Sequence, residues 1–339
     1  MSQIKFAVIA AILALAVMPA RSYAVTNAVV GTCLSGTRYT TIQAAVTAAS
    51  PGSTVQVCPG TYPEQVTILQ NLTLKGVTNG GGAAAVITLP AAGLKQNATS
   101  GLFGNLGVQL LVQQATSVTV SDIVVDGGGS STCSNNNFYQ VGILFQGPGG
   151  LVTNSAVRNG PHCARAISLF ADASTNLKFT NNNLSDCGGD CLEADYDTNF
   201  AATGNIITAV SLTTWGISVQ YVTDPSTFTG NTVGGNLEGN VVISNSVKVT
   251  MTGNAFLGGA SSNVGVYLAS STQSVIQSNK VAGGQYAFVI VDAASAGSNT
   301  ITKNTISNEG CGMSKVQVVA DILSPNTYLT TGTLTCQIV

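Results

Sequence analysis

The chain concentrates its acidic side chains in one short segment. Five of its 14 Asp and Glu residues lie between positions 186 and 197: Asp186, Asp190, Glu193, Asp195 and Asp197. Only 8% of the chain is charged, so this clustering is unusual. Exposed carboxylates often do no more than solubilise a surface, but carboxyl groups held close together also serve as acids, bases or cation ligands. The segment is therefore the candidate functional site.

Two chemistries fit these residues. A lyase acting on a uronic-acid polymer must neutralise the substrate carboxylate and remove a neighbouring proton. Arg165 would be the base or the carboxylate clamp, and Asp197, with Glu193 and Asp195, would offer oxygen ligands for Ca²⁺, which we do not expect to be required. A glycoside hydrolase would use Glu193 and Asp195 as acid and base, since side chains two apart on a strand have Cβ atoms about 6.5 to 7 Å apart, which suits an inverting pair. The residue types leave both chemistries open.

A repeat marked by asparagine must position these side chains. Segments such as "TFTGNTVGG" and "IQSNKVAGG" recur, and their asparagines return about once every 25 positions, a period typical of solenoid repeats. The marker residues are Asn154, Asn182, Asn205, Asn231, Asn254, Asn279 and Asn304. Short alternating strands at this period predict an all-β fold, a single-stranded right-handed parallel β-helix of about ten coils. The Asn side chains are expected to bond to their counterparts one coil away.

The register of the coils predicts which side chains meet. A gap-free alignment of Asn154 with Asn182 makes four pairs: Arg158 with Asp186, His162 with Asp190, Cys163 with Cys191, and Arg165 with Glu193. His162, the single histidine of the chain, is expected to support Asp190 structurally at least as much as to act as a base.

Alternation along the strands predicts one polar outer face. Beside Arg165, Glu193 and Asp195, it directs Ser218, Gln220 and Tyr267 outward as substrate-binding residues. Trp215 shares the parity of the inward Ile217 and is expected to pack in the core or in a turn.

The N-terminal segment 1–24 predicts a secretory signal peptide, because Lys5 precedes the apolar run 6–18 and small residues follow. The protein is therefore expected to be secreted, extracellular or periplasmic. Residues 25–339 are interpreted as one β-helix domain, with an N-terminal cap at 25–59, coils at 60–310 and a C-terminal cap at 311–339. Within the first cap, "TTIQAAVTAAS" predicts a short helix that Thr40 or Thr41 opens and Pro51-Gly52 ends.

Eight cysteines in an exported chain favour disulfides over a metal site. Cys33 with Cys58 and Cys311 with Cys336 are the simplest pairs. The remaining cysteines leave three alternatives open: Cys163 with Cys191, Cys187 with Cys191, or Cys133 with Cys163 or Cys187. Without Lys5 and Arg21, 10 basic and 14 acidic residues give a net charge of −4, which disfavours nucleic acid as a partner. A monomer that binds a polysaccharide and no membrane is expected.

The segment "YTTIQAAVTAASPGSTVQVCPGTYPEQVTILQNLTLKG", residues 39–76, resembles the opening of the pectin-lyase-like superfamily, above all the cap and first coil of pectin methylesterases. Its run from Gly60 to Glu64 matches the Gly-x-Tyr-x-Glu element of that family. The resemblance implies a right-handed parallel β-helix with a polysaccharide groove on its outer face. The catalytic motifs of the esterases and of polygalacturonases are missing, so the resemblance implies neither activity.

Two functional hypotheses follow. The first is a secreted carbohydrate-active protein, acting on an acidic polysaccharide as a lyase or related enzyme through Arg165, Glu193 and Asp195. The second is a non-catalytic surface, adhesion or glycan-binding β-helix whose acids only solubilise and rigidify the rod.

Overall fold

The computed structural model describes the chain in ten stretches: residues 25–78, 84–129, 137–161, 165–209, 215–235, 238–258, 263–291, 298–316, 321–329 and 331–336. The predicted signal peptide, Cys133, His162 and Cys163 lie outside these stretches.

The described residues form a parallel β-solenoid of about 11 turns. Each turn of the chain adds one short strand to each of three sheets, and residues of neighbouring turns pair in parallel, about 4.8 Å apart. The strands are short because Gly and Asn interrupt the apolar alternation every few residues. The coil number and the parallel strand pairing agree with the repeat seen in the sequence.

The three sheets are defined here by their strands in stacking order. The first sheet contains Thr37–Tyr39, Val25–Val30, Ala49–Val57, Leu72–Gly76, Ser117–Ser121, Gly149–Thr153, Leu177–Thr180, Ala201–Thr203, Ser226–Thr229, Val249–Thr252, Val275–Gln277 and Thr300–Thr302. The second sheet contains Gly60–Pro63, Ala85–Thr88, Ile123–Asp126, Ala156–Arg158, Asn183–Cys187, Ile206–Ala209, Thr232–Gly235, Ala255–Leu257, Lys280–Ala282, Thr305–Ser307 and Thr327–Leu329. The third sheet contains Val66–Ile68, Gly104–Gln113, Tyr139–Gln146, Ala166–Asp172, Asp190–Asp195, Trp215–Gln220, Gly239–Ser244, Val264–Ala269, Tyr286–Val291, Cys311–Val316 and Thr333–Cys336, and Ala98–Ser100 joins it antiparallel to Gly104–Gln113.

The helix α1, Ile42–Ala48, covers the N-terminal end of the solenoid. Thr41 caps it by accepting a hydrogen bond from the Ala44 N–H at 3.2 Å. The Glu64 carboxylate accepts hydrogen bonds from the N–H groups of Ile42 at 2.8 Å and Gln43 at 3.0 Å. The acid of the Gly-x-Tyr-x-Glu element therefore anchors the start of the helix. The predicted end of the helix was wrong: Ala49–Val57 is already a strand, so Pro51 and Gly52 lie in that strand.

A ladder of buried amides runs along one corner of the solenoid. Its rungs, in order, are Asn182, Asn205, Asn231, Asn254, Asn279, Asn304 and Asn326, and Ser155 precedes the first amide. Each Oδ1 accepts the backbone N–H of the rung before it at 2.8 to 3.1 Å. The predicted stacking is confirmed from Asn182 onward. The prediction that Asn154 is a rung was wrong. Asn154 occupies the left-handed position immediately before the rung Ser155, with φ +49°.

Two of the expected disulfides are present, Cys33 with Cys58 and Cys187 with Cys191. The latter is one of the three open alternatives, and it excludes the one that joins Cys163 to Cys191. Cys311 is also disulfide-bonded, while the side chain of its predicted partner, Cys336, lies outside the described part. No helix in the described stretches has the length and apolar character needed to cross a membrane.

Candidate functional site

The acidic segment forms the strand Asp190–Asp195 of the third sheet. Leu192 and Ala194 point into the core, so alternation directs Glu193 and Asp195 to the outer face. The two carboxyl groups are fully buried nonetheless. The strand therefore presents two adjacent acids on the outer face, as the sequence predicts, but away from bulk water.

The Glu193 carboxyl group is held by side chains of the next coil. Ser218 Oγ donates to Glu193 Oε1 at 2.9 Å and Gln220 Nε2 donates to the same oxygen at 3.0 Å. Ser218 and Gln220 pair in register with Glu193 and Asp195, respectively. The predicted outward placement of both residues is thus what the structure shows.

The side chains of Glu193 and Asp195 lie close enough for a hydrogen bond between them. Carboxylates carry no donor, so such a bond requires one of the two groups to keep a proton. Asp190 is likewise placed to share a hydrogen bond with Glu193; apart from these acids, no donor in the described part of the chain reaches Glu193 Oε2 or either oxygen of Asp195. The two groups form a proton-sharing carboxyl pair, here called the acid pair, as happens when like charges cannot both ionise.

Burial is the main cause of the altered acidity of this pair. It raises the pKa of Glu193 well above its usual range, and the charge of Asp195 adds to the effect. It also raises the pKa of Asp195 to about 8. At neutral pH the pair therefore holds a proton, as a general acid must.

Two further acids lie beside the pair on the outer face. Asp190 begins the same strand, accepts the Trp215 N–H at 3.0 Å, and has its pKa raised by burial and by the nearby charge of Glu193. Asp172 pairs in register with Asp195 on the preceding coil. It accepts a hydrogen bond from Gln146 Nε2 at 2.8 Å, and burial raises its pKa.

Asp197, the predicted Ca²⁺ ligand, occupies a different environment. It lies in the turn after the strand, is fully buried, and its Oδ1 accepts the Ser174 N–H at 2.6 Å. Burial raises its pKa well above the usual range. No group of three or more His, Cys, Asp or Glu side chains within the described stretches is arranged to hold a metal ion.

Arg165 does not meet Glu193. The strand register pairs Phe170 with Glu193 instead. Arg165 lies five positions before Phe170, about 16 Å along an extended strand, and its side chain is exposed. The prediction of a shared site for Arg165 and Glu193 was therefore wrong.

Unequal loops between the second and third sheets cause this error. In the second sheet Arg158 pairs with Ser185, an offset of 27, and not with Asp186. The next pair, in the third sheet, is Ile167 with Asp190, an offset of 23. The Arg158 guanidinium instead forms an ion pair with Asp126, with Nε 2.9 Å from Oδ2. The predicted partner of Asp190, His162, lies outside the described residues.

Aromatic side chains lie on the outer face of the coils that follow the acid pair. Trp215 was predicted to be inward, but it is partly exposed and lies over Gly239 on the next coil, where a Cβ atom would overlap its ring. Its ring reaches Tyr267, two coils away, with centroids 6.0 Å apart. Trp215 and Tyr267 form what is here called the aromatic platform. A second pair, Tyr196 and Tyr221, stacks in the adjacent turn at 5.1 Å.

A cover lies over the outer face on the N-terminal side of the acid pair. The segment that contains the strand Ala98–Ser100 packs on the three coils before Asp190, where a separate apolar cluster forms. The cluster contains Ala98, Leu106, Val108, Leu111, Val141, Leu144, Ile167 and Phe170, with Phe103 and Tyr139 against it. This segment is called the outer cover below. The sequence did not predict this cover, because its short apolar stretch does not belong to the repeat.

The fold assigns the chain to a family of proteins. The model of the family described as "Right handed beta helix region" matches residues 109–256 and 168–318, and the chain belongs to this family. The predicted right-handed parallel β-helix is thereby confirmed, in agreement with the resemblance to the pectin-lyase-like superfamily.

Several solved structures are similar to the chain. The A-module of the mannuronan C-5 epimerase AlgE4 from Azotobacter vinelandii has 17% identity over 87% of this chain and 92% of that chain, with a TM-score of 0.62. DFA-IIIase from Arthrobacter chlorophenolicus A6, in complex with DFA-III, has 14% identity over 93% of this chain and 85% of that chain, with a TM-score of 0.57. These identities show a shared fold. No curated protein matches the sequence.

Proposed function

We propose that the protein is a carbohydrate-active enzyme that hydrolyses glycosidic bonds of a neutral glycan with the acid pair, Glu193 and Asp195. The observation that carries the proposal is a buried pair of neighbouring carboxyl groups with raised pKa values, on the same outer face as the aromatic platform. Glycosidases combine a carboxylic acid with a carboxylate, and flat aromatic side chains give rigid, amphipathic contact area. The similarity to a mannuronan epimerase supports a carbohydrate as the partner.

The reaction balances with these groups alone. The protonated carboxyl group donates its proton to the glycosidic oxygen as the bond to the anomeric carbon breaks. A carboxylate takes a proton from water as the water oxygen bonds to that carbon. The two groups contact each other, closer than the separation of about 6.5 to 9.5 Å of an inverting pair or about 5 to 5.5 Å of a retaining pair. Hydrolysis therefore requires the two side chains to move apart when the substrate binds, so that the sugar and the water fit between them.

The charge around the acid pair favours a neutral substrate. The acids that surround it are Asp172, Asp190 and Asp197, and no Lys or Arg among the described residues lowers the pKa of any of these five groups. An acidic polymer would place further negative charge here without a cation to compensate. A lyase needs that cation, and Arg165, its predicted source, is remote. We therefore favour hydrolysis of a neutral glycan over the acidic substrate that the sequence suggested.

Full burial of the acid pair favours one other candidate, a glycan-binding β-helix without catalysis. Access to Glu193 would require the partly exposed Gln220 to swing away from it. If the acids are purely structural, this movement does not occur. The two candidates make different predictions for conservative variants at the pair.

The experiment incubates the mature protein with neutral polymers such as β-1,3-glucan, xylan, galactan and inulin, and measures new reducing ends. Pectate and alginate, each with and without Ca²⁺, test the uronan alternative through unsaturated products. Glu193→Gln and Asp195→Asn should each abolish turnover, whereas Asp224→Asn, at an exposed acid, should retain it. Turnover that survives in both pair variants would refute the assignment, and binding without turnover would favour the non-catalytic candidate.

The cellular location is proposed on separate grounds. Disulfides such as Cys33–Cys58 persist in oxidising compartments, which supports secretion through the signal peptide predicted at residues 1–24. A glycan of an extracellular or periplasmic environment is thus the proposed substrate.

A further inference from the structure

We infer that the enzyme acts at the ends of glycan chains, because the outer cover occupies the outer face directly beside the acid pair. This inference rests on the proposed function and concerns where along a polymer the acid pair can reach a bond. Its basis is the position of the cover relative to three columns of outward-facing side chains on the third sheet.

The first two columns are covered by apolar packing. One passes through Val141 and Ile167, and the other through Leu144 and Phe170, with all four side chains at most 2% exposed. The Phe103 ring of the outer cover packs on this surface. Its centroid lies 5.5 Å from that of Phe170, in an edge-on arrangement, and 5.0 Å from that of Tyr139.

The third column is covered by polar contacts. Gln146 Nε2 donates to the Thr99 carbonyl oxygen of the outer cover at 2.6 Å. The Ser100 side chain is hydrogen-bonded to Asp172. The cover therefore extends across the full width of the face as far as the coil Ala166–Asp172.

The acids occupy the first coil beyond this cover. In register, Ile167 is followed by Asp190, Phe170 by Glu193, and Asp172 by Asp195. One coil spacing, about 4.8 Å, separates each acid from a covered side chain. A polymer lying along the rod axis over the acid pair would collide with Phe103 and Ser100 if it continued toward the N terminus.

The face continues in the other direction. The next coils carry the partly exposed side chains of Trp215, Val242 and Tyr267, which lie on the strands that stack in succession after Asp190–Asp195. A glycan can therefore lie over the aromatic platform with its terminus against the outer cover. The bond presented to the acid pair is then one of the last in the chain, so the product is a short sugar.

The experiment measures how each cut is distributed along the polymer. On the neutral polymer that the protein degrades, new reducing ends and viscosity are followed together, and an oligosaccharide labelled at one end is resolved over time. Action at chain ends predicts release of one short product, stepwise shortening of the oligosaccharide, and little loss of viscosity per bond cut. A steep fall in viscosity with random fragments would overturn this inference while leaving the proposed function intact.

A variant of the outer cover tests the cause. Phe103→Ala should increase the share of internal cuts several-fold, whereas Leu102→Ala, a neighbour outside the apolar cluster, should not. Both variants are compared by their product ratio, so a general loss of stability does not imitate the effect. An unchanged ratio in Phe103→Ala would overturn the role of the cover, and the absence of cleavage by the unmodified protein would overturn the proposed function together with this inference.

Discussion

Replacing Asp195 with Asn should change how the stability of the protein depends on pH. Asp195 has an ordinary pKa of 3.8, which burial raises to about 8 in the folded protein. Between pH 5 and 7 this group is therefore protonated when folded and ionised when unfolded. The folded state binds more protons, so the free energy of unfolding falls as pH rises through this window.

The size of the effect follows from the same shift. One group that differs in protonation contributes about 1.4 kcal/mol per pH unit, or about 3 kcal/mol between pH 5 and 7. The unmodified protein should lose about this much, because the acid pair holds one proton that the unfolded chain has lost. Asp195→Asn should lose about 3 kcal/mol less over the interval, since an amide has no proton to bind.

Urea unfolding at pH 5, 6 and 7, followed by circular dichroism and fluorescence, measures this difference where the two transitions coincide. Asp224→Asn, at an exposed acid, is the matched control and should keep the slope of the unmodified protein. Parallel pH profiles for the unmodified protein and Asp195→Asn would refute a proton bound by Asp195 in the folded protein.

Three further predictions concern the ladder, the platform and the corrected register. Asn231→Ala should lower the free energy of unfolding by about 3 kcal/mol or more, because buried groups bonded to its amide lose their partners. The control Asn183→Ala, at an exposed residue, should lower it far less in the same urea titration, and equal losses of stability would contradict the role of the ladder. Gly239→Ala should raise KM several-fold by displacing the Trp215 ring, and unchanged glycan kinetics would argue against the platform. Arg165→Gln should leave turnover unchanged, so a large loss of kcat would restore the lyase hypothesis.

Much of the fold could be predicted because its physical cause is local and repeats. A residue in the left-handed conformation precedes the amide rungs of the central coils, often Gly, as at Gly204 before Asn205 and Gly230 before Asn231. Where the sequence reads Thr-Asn-Ser, Asn154 takes that left-handed position and Ser155 becomes the rung. Asparagine suits both positions, so counting asparagines alone misplaced this coil by one residue.

The site was predicted less well because it depends on contacts between coils. The cluster of acids, together with the alternation along the strands, correctly predicted that Glu193, Asp195, Ser218 and Gln220 lie on one face. A gap-free alignment could not show that the path from the second to the third sheet is longer in the coil before Asp190 than in the coil that contains it. That difference displaces Arg165 by four positions, and the rung misplaced by one residue accounts for the fifth. Trp215 was predicted to point inward because it lies two positions before the inward Ile217. That inward and outward alternation does not extend to Trp215, the first residue of its strand.

The amide ladder also limits how the rod can change its length. Each rung bonds to the rung before it and the rung after it, so an inserted segment preserves these bonds only if it brings a complete coil with its own amide. Duplication of whole coils would then lengthen the protein in fixed steps while leaving existing coils undisturbed. Any coil added beyond Tyr267 would lengthen the uncovered part of the outer face by one strand and leave the covered end, with its acids, unchanged.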